Sequence, residues 1–228
     1  GIIAENDIAD NAVGVTYRAA AALAGNRIHD NGTGVVATVL SEIDGLGFVG
    51  GSAPNDIFDN AVGVELTGRM QNQRIFGNVT GVAGANPAAI LGPAFGRFDL
   101  ANRIKNNTTG VSFAGTIEFN RIAHNATGIA AASGQQIVHN LIYGNTNYGV
   151  LAGSASSPAS AVRIVHNTLY AESGDNVHVG PGAADIEVRS NTLLARGGYD
   201  VFVDNAGQAG FFADFNALLA SDTGRLYY

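Results

Sequence analysis

The side chains able to do acid–base chemistry are sparse and widely spaced in this chain. A Gly-Val strand recurs along it, and its outward positions run Thr16, Val36, Glu65, Ala83, Ser112, Ala130, Leu151, His178, Phe202 and Tyr227, of which only Glu65 is acidic. Glycoside hydrolysis needs two carboxyls roughly 5–10 Å apart, and calcium-assisted elimination needs several converging oxygens and a base. An enzymatic reading therefore rests on Glu65 and His178, with Glu42 and Asp44 in a neighbouring loop as further carboxylates. Asp10, Asp30 and Asp59 each follow a recurring asparagine by four places and form an acidic row. Such a row holds Ca²⁺ or is simply a solvated face. His139 and His166 should be neighbours, but two imidazoles without a third ligand do not make a zinc site.

Two further rows suit binding rather than turnover. One place after the recurring asparagine stand Asp7, Arg27, Asp56, Arg74, Arg103 and Arg121, a row that turns basic in its later copies. Three places after it, Phe58 is followed by Phe76, and Tyr143 by Tyr170. Rows of rings serve as sugar platforms or stack for their own sake. Glycan binding without turnover would use Tyr143, Tyr170, Arg103 and Arg121.

All of these residues are placed by one repeat, N-x-I-x-x-N-x-x-G-V. It is clearest at Asn102 to Val111 and returns from Asn6, Asn26, Asn55, Gln73 and Asn120, with an enlarged copy from Asn140 and looser ones from Asn167, Asn191 and Asn216. Ten copies in 210 residues give about 23 per step, too few for two packed helices and right for one turn of a β-solenoid. Alternation predicts three short strands per coil. The first ends three places before the asparagine (Ile117, Ile137, Ile164), the second is centred two after it (Ile104, Ile122, Ile142), and the third follows the glycine (Val111, Ile129, Val150). The asparagine column, Asn6, Asn26, Asn55, Gln73, Asn102, Asn120, Asn140, Asn167, Asn191 and Asn216, predicts a hydrogen-bonded ladder at ~4.8 Å per coil. The motif glycine is expected to supply backbone angles closed to a side chain.

On this repeat the chain resembles the right-handed parallel β-helix proteins of the pectate-lyase-like superfamily, and its later copies resemble β-helix segments of large bacterial surface and secreted proteins. The resemblance implies an all-β fold, a right-handed single-stranded parallel β-helix of about ten coils forming a single domain, residues 1–228, excised from a longer chain. It implies an extracellular address, with neighbouring domains of the parent chain and a polysaccharide or cell-surface glycan as partners. Lyases, epimerases, hydrolases and non-catalytic adhesins all share this fold, so it does not choose among them. Arg103-Ile104-Lys105 resembles the R-I-K of polygalacturonases, yet the paired aspartates and G-H-G of that family are missing, and Ile104 is a core position of the repeat.

Composition narrows the field. A net charge of −7, with 12 basic residues spread thinly, argues against nucleic acid. No run approaches the ~20 apolar residues of a membrane span, and no cysteine is present for a disulfide or thiolate site. No cofactor beyond Ca²⁺ is expected. Uncapped coils at both ends predict edge-to-edge association. The ladder step lengthens to 29 residues at Asn26 and Gln73 and to 27 at Asn140. Three insertions, including loops 38–52 and 84–98, are therefore expected after the Gly-Val strand on one side, framing a groove.

Overall fold

Each coil opens with three or four residues whose central apolar side chain points inward, and the repeat forces that residue to stack on its counterpart in the next coil. A computed structural model describes residues 1–18, 22–37, 53–93 and 96–227. Its strands all pair in parallel, each with the corresponding strand of the preceding and following coils. The middle sheet has ten strands, from Asp7–Ala9 through Arg103–Lys105 and Arg121–Ala123 to Ala217–Ala220. The Gly-Val sheet also has ten, from Val13–Tyr17 to Arg225–Tyr227. The leading sheet has seven, from Arg69–Met70 to Phe212–Asp214, and Ile2–Ala4 pairs separately with Ala22–Ala24. The only helical pieces among the described residues are two 3₁₀ turns, Phe98–Leu100 and Asn205–Gly207. The fold is therefore an all-β parallel β-helix of ten coils.

The core is three columns of aliphatic side chains. Ile75, Ile104 and Ile122 of the middle sheet, Val82, Val111 and Ile129 of the Gly-Val sheet, and Leu91, Ile117 and Ile137 of the leading sheet are all fully buried. Burial of each such side chain is worth roughly 1.5–3 kcal/mol.

The asparagine ladder runs unbroken through all ten predicted positions. Asn102 donates Nδ2–H to Asn120 Oδ1 at 2.9 Å, and Asn120 does so to Asn140 at 3.1 Å. Where Gln73 replaces Asn, its Oε1 still accepts from Asn55 Nδ2 at 2.8 Å, and its backbone N–H donates to Asn102 Oδ1 at 3.0 Å. The second asparagine of the motif builds a ladder of its own, through Asn11, Asn31, Asn60, Asn78, Asn107, Asn125 and Asn145, with Nδ2 to Oδ1 distances of 2.9–3.2 Å. Both bends that flank the middle sheet are thus pinned by amide columns.

Three expectations change. The motif glycine is not in the left-handed region; that conformation belongs to the residue before most of the ladder asparagines, Ala101 before Asn102 being an exception at φ −57°. It is adopted at one bend by Asn72, Phe119, His139, His166 and Ser190, and at the other by Asp10, Asp30, Asp59, Gly77, Asn106, His124 and Gly144. The motif glycine is instead required by close approach: a Cβ on Gly81 would lie 2.5 Å from the Gly110 carbonyl oxygen and 3.1 Å from the ladder nitrogen of Asn107. Nor do the insertions share one side. Ten residues separate Leu91 from Asn102, against two between Met70 and Gln73, so most of the insertion within 84–101 emerges at the first asparagine bend, after the leading strand. The loop at 38–52, with Glu42 and Asp44, lies outside the described residues. Lastly, Tyr227 pairs with Val201, which puts it in the core-facing column rather than the outward one.

Candidate functional site

On the outer face of the middle sheet the register places Arg74, Arg103 and Arg121 side by side on three successive strands. In the neighbouring column the sequence runs Phe76, Lys105, Ala123, Tyr143. Ala123 has no bulk to fill its place, so the surface drops between the Phe76 and Tyr143 rings. The result is a groove of about 620 Å³, lined by Arg74, Arg103, Lys105, Arg121, Asn106, His124 and these two rings. Phe76 closes one end as the last ring of a stack that begins at His29 and Phe58, its ring centroid 5.0 Å from that of Phe58. At the other end His124 meets Tyr143 edge-on at 5.4 Å. Gly144 follows on the next coil, where a Cβ would strike the His124 ring.

The charges in the groove are unequal in standing. Arg74 is neutralised by Asp56 at 2.5 Å. Arg103, Lys105 and Arg121 are exposed and form no ion pair among the described residues. Five arginines elsewhere are matched by carboxylates, Arg27 with Asp7, Arg69 with Glu118, Arg97 with Asp99, Arg163 with Glu187 and Arg196 with Asp222, while Arg189 and Arg225 lie over the rings of Phe215 and Tyr199. A trio of free cations on two adjacent strands of a protein carrying −7 is a local reversal of its overall charge.

Of the four residues expected to bind glycan, the groove gathers Arg103, Arg121 and Tyr143. Tyr170 pairs with Tyr143 one coil further on, and its hydroxyl turns to Glu172 at 3.5 Å. His124 joins the site without having been singled out, while Phe76 stands out in the sequence only as one of a row of rings and Lys105 only within the Arg103-Ile104-Lys105 tripeptide. Lys105 was hidden because it takes a slot that aromatic residues hold in the coils around it.

Glu65 and His178 share one column of the Gly-Val sheet but stand five coils apart, about 24 Å at the rung spacing. They cannot act together on one bond. His178 instead pairs through Nδ1 with Asp175 Oδ2 at 2.7 Å, between the rings of Tyr148 and Phe202. Asp10, Asp30 and Asp59 all have positive φ, which Asp tolerates through its short polar side chain; this accounts for the acidic row. Among the described residues no three His, Asp or Glu side chains converge as a metal site. Asp30 is engaged by His29, which also bonds Asp7, and these contacts, Asp30 first, raise the His29 pKa above its ordinary value. His139 and His166 do stack, at 5.2 Å, and burial followed by the neighbouring imidazole lowers the pKa of His139.

Fold and groove together define a parallel β-solenoid with a basic, aromatic-ended depression on its middle sheet. No protein-family model, curated protein or solved structure gives a significant match to this chain. No helix among the described residues is long and apolar enough to cross a membrane.

Proposed function

We propose that this chain is a non-catalytic segment of a larger extracellular surface or secreted protein, of the pectate-lyase-like β-helix kind, serving as a rigid spacer and a glycan-binding surface. The observation that carries the reading is the groove itself, where free guanidinium groups lie between two aromatic rings, the pairing of polar fork and apolar face by which sugars are held. The Gly-Val face, where an enzyme reading would look, supplies Glu65 and His178 too far apart to cooperate. Scaffold stiffness follows from two amide ladders flanking the binding sheet, one along all ten coils and the other from Asn11 to Asn145.

A second reading, a polysaccharide lyase, epimerase or hydrolase of acidic polysaccharide, draws on one feature. His178, oriented by Asp175, has the arrangement of a general base. The test is to incubate the protein with and without Ca²⁺ against pectin, alginate, hyaluronan and neutral glycans, reading binding together with reducing ends and unsaturated uronate. Binding to at least one glycan with no product supports the scaffold. Product formation that survives Arg103→Gln but is lost with His178→Ala transfers the function to the second reading.

A further inference from the structure

The reading above leaves open what kind of glycan the groove selects and how it lies. Arg103 and Arg121 face each other across adjacent parallel strands, so their Cα atoms are one rung apart, about 4.8 Å, along the solenoid axis. Lys105 stands on the same face of the Arg103 strand, two residues or about 6.6 Å away. Three like charges this close repel one another, and no side chain described here offsets them. An arginine fork is matched by the two oxygens of a carboxylate or sulfate. From the Phe76 ring to the Tyr143 ring is three rungs, about 14 Å, floored midway by Ala123.

We infer that the groove binds a short acidic oligosaccharide lying along the solenoid axis, with successive carboxylate or sulfate groups on Arg103 and Arg121 and its sugar faces against Phe76 and Tyr143. The inference rests on the glycan-binding reading and adds charge, direction and extent to it. Direction has two senses, and the neighbouring coils distinguish them. Toward the first coils the same face and the bend beside it carry Asp7, Asp10, Asp30, Asp56 and Asp59 against one arginine, Arg27, which is paired with Asp7, and one histidine, His29; this flank is net negative and repels a polyanion. Toward the later coils the outward positions are Leu141, Thr168 and Thr192, which do not. A longer acidic chain therefore leaves the groove over Tyr143. The same acidic flank disfavours a nucleic-acid strand, whose affinity comes from many phosphates spread along an extended basic track.

The test is a binding titration of the 228-residue protein with fluorescently labelled oligogalacturonate, a sulfated glucosamine–uronate oligosaccharide, a neutral cello-oligosaccharide and a single-stranded oligonucleotide of similar length. The acidic oligosaccharides should bind, weakening with added salt, and the neutral one at least tenfold less well. Arg103→Gln and Arg121→Gln, both at exposed positions, should each cost about tenfold, as expected for loss of one charge-assisted contact. Arg163→Gln, on the leading sheet, should change nothing. The stronger of the carboxylated and sulfated probes names the acid group. Equal binding of neutral and acidic oligosaccharides, indifferent to both substitutions, overturns this inference while leaving glycan binding standing. No binding of any saccharide overturns both. Tighter binding of the oligonucleotide replaces the acidic glycan with a nucleic acid.

Discussion

Asp200 occupies a place that seven earlier copies give to glycine, from Gly14 to Gly149, and the copy between them gives to Asn176. The reason is local. The second ladder stops at Asn145, and five places after Asn167 and Asn191 stand the exposed Glu172 and Arg196 instead of asparagines. The interior that the ladder amide had filled is taken by Asn176 and Asp200, both buried. Asp200 Oδ1 accepts from Asn176 Nδ2 at 2.9 Å, whereas its Oδ2 is buried with no partner. Burial pushes the Asp200 carboxyl up to about 6. Between about pH 4 and pH 6 the folded state keeps a proton that the unfolded chain has released, so this residue's contribution falls as pH rises through that window and is flat above it, a span of about 3 kcal/mol. Asp200→Asn should therefore raise the thermal midpoint above that of the natural chain at pH 7, with the two converging near pH 4. Equal midpoints at both pH values would show that the carboxyl is not buried as described.

At the scale of the coil, the ladders and the motif glycine are the elements that resist substitution. Asn107→Ala removes the acceptor for Asn78 Nδ2 and backbone N–H and the donor to Asn125. Each buried group left unpaired costs roughly 1–3 kcal/mol. Gly81→Ala drives a methyl into the Gly110 carbonyl and should cost on the order of 1–3 kcal/mol by local displacement. Arg163→Ala, which breaks an exposed ion pair, should stay within about 1 kcal/mol. Denaturant unfolding of the three variants ranks them directly; parity between Asn107→Ala and Arg163→Ala would refute the second ladder. That ladder was written in the motif, but a period of two accounts for one bend per asparagine only when both bends are counted. The apolar columns were legible because Ile104, Val111 and Ile117 alternate with polar neighbours. Leu91 was not, since the insertion before Asn102 breaks the three-residue spacing by which its column is found. Likewise Asp10, Asp30 and Asp59 resemble a cation site in sequence, where backbone angle and ligand demand call for the same residue type. The groove was half legible: the arginine row follows from spacing, while the depression depends on Ala123 being small between Lys105 and Tyr143, a contrast visible only once the register is known.

Across the whole molecule, a solenoid is held coil to coil, so its stability is graded along the axis. Ile2 is 78% exposed and Phe215 71%, against complete burial for Ile75, Ile104 and Ile122. Backbone amides in the coils from Gln73 to Asn140 should exchange with solvent slowest, and those of the first and last coils fastest; uniform exchange by mass spectrometry would mean that the stack opens as one unit. The outer face of the middle sheet is zoned along the same axis, acidic over the first three coils, basic over the next three and neutral beyond. A rigid frame keeps these zones in fixed register, which is what a binding surface needs and what an active site on the neighbouring Gly-Val face would not require of this one. The most direct measurement is a titration of isotopically labelled protein with an acidic oligosaccharide, followed by NMR over hours, so that protein shifts and sugar signals are read in one tube. Shifts confined to the middle-sheet face around Arg103, Arg121 and Tyr143, with sugar signals unchanged in time, are the predicted result. Shifts centred on His178 and Asp175, or new sugar resonances growing with time, would contradict it and place an enzyme on the Gly-Val sheet.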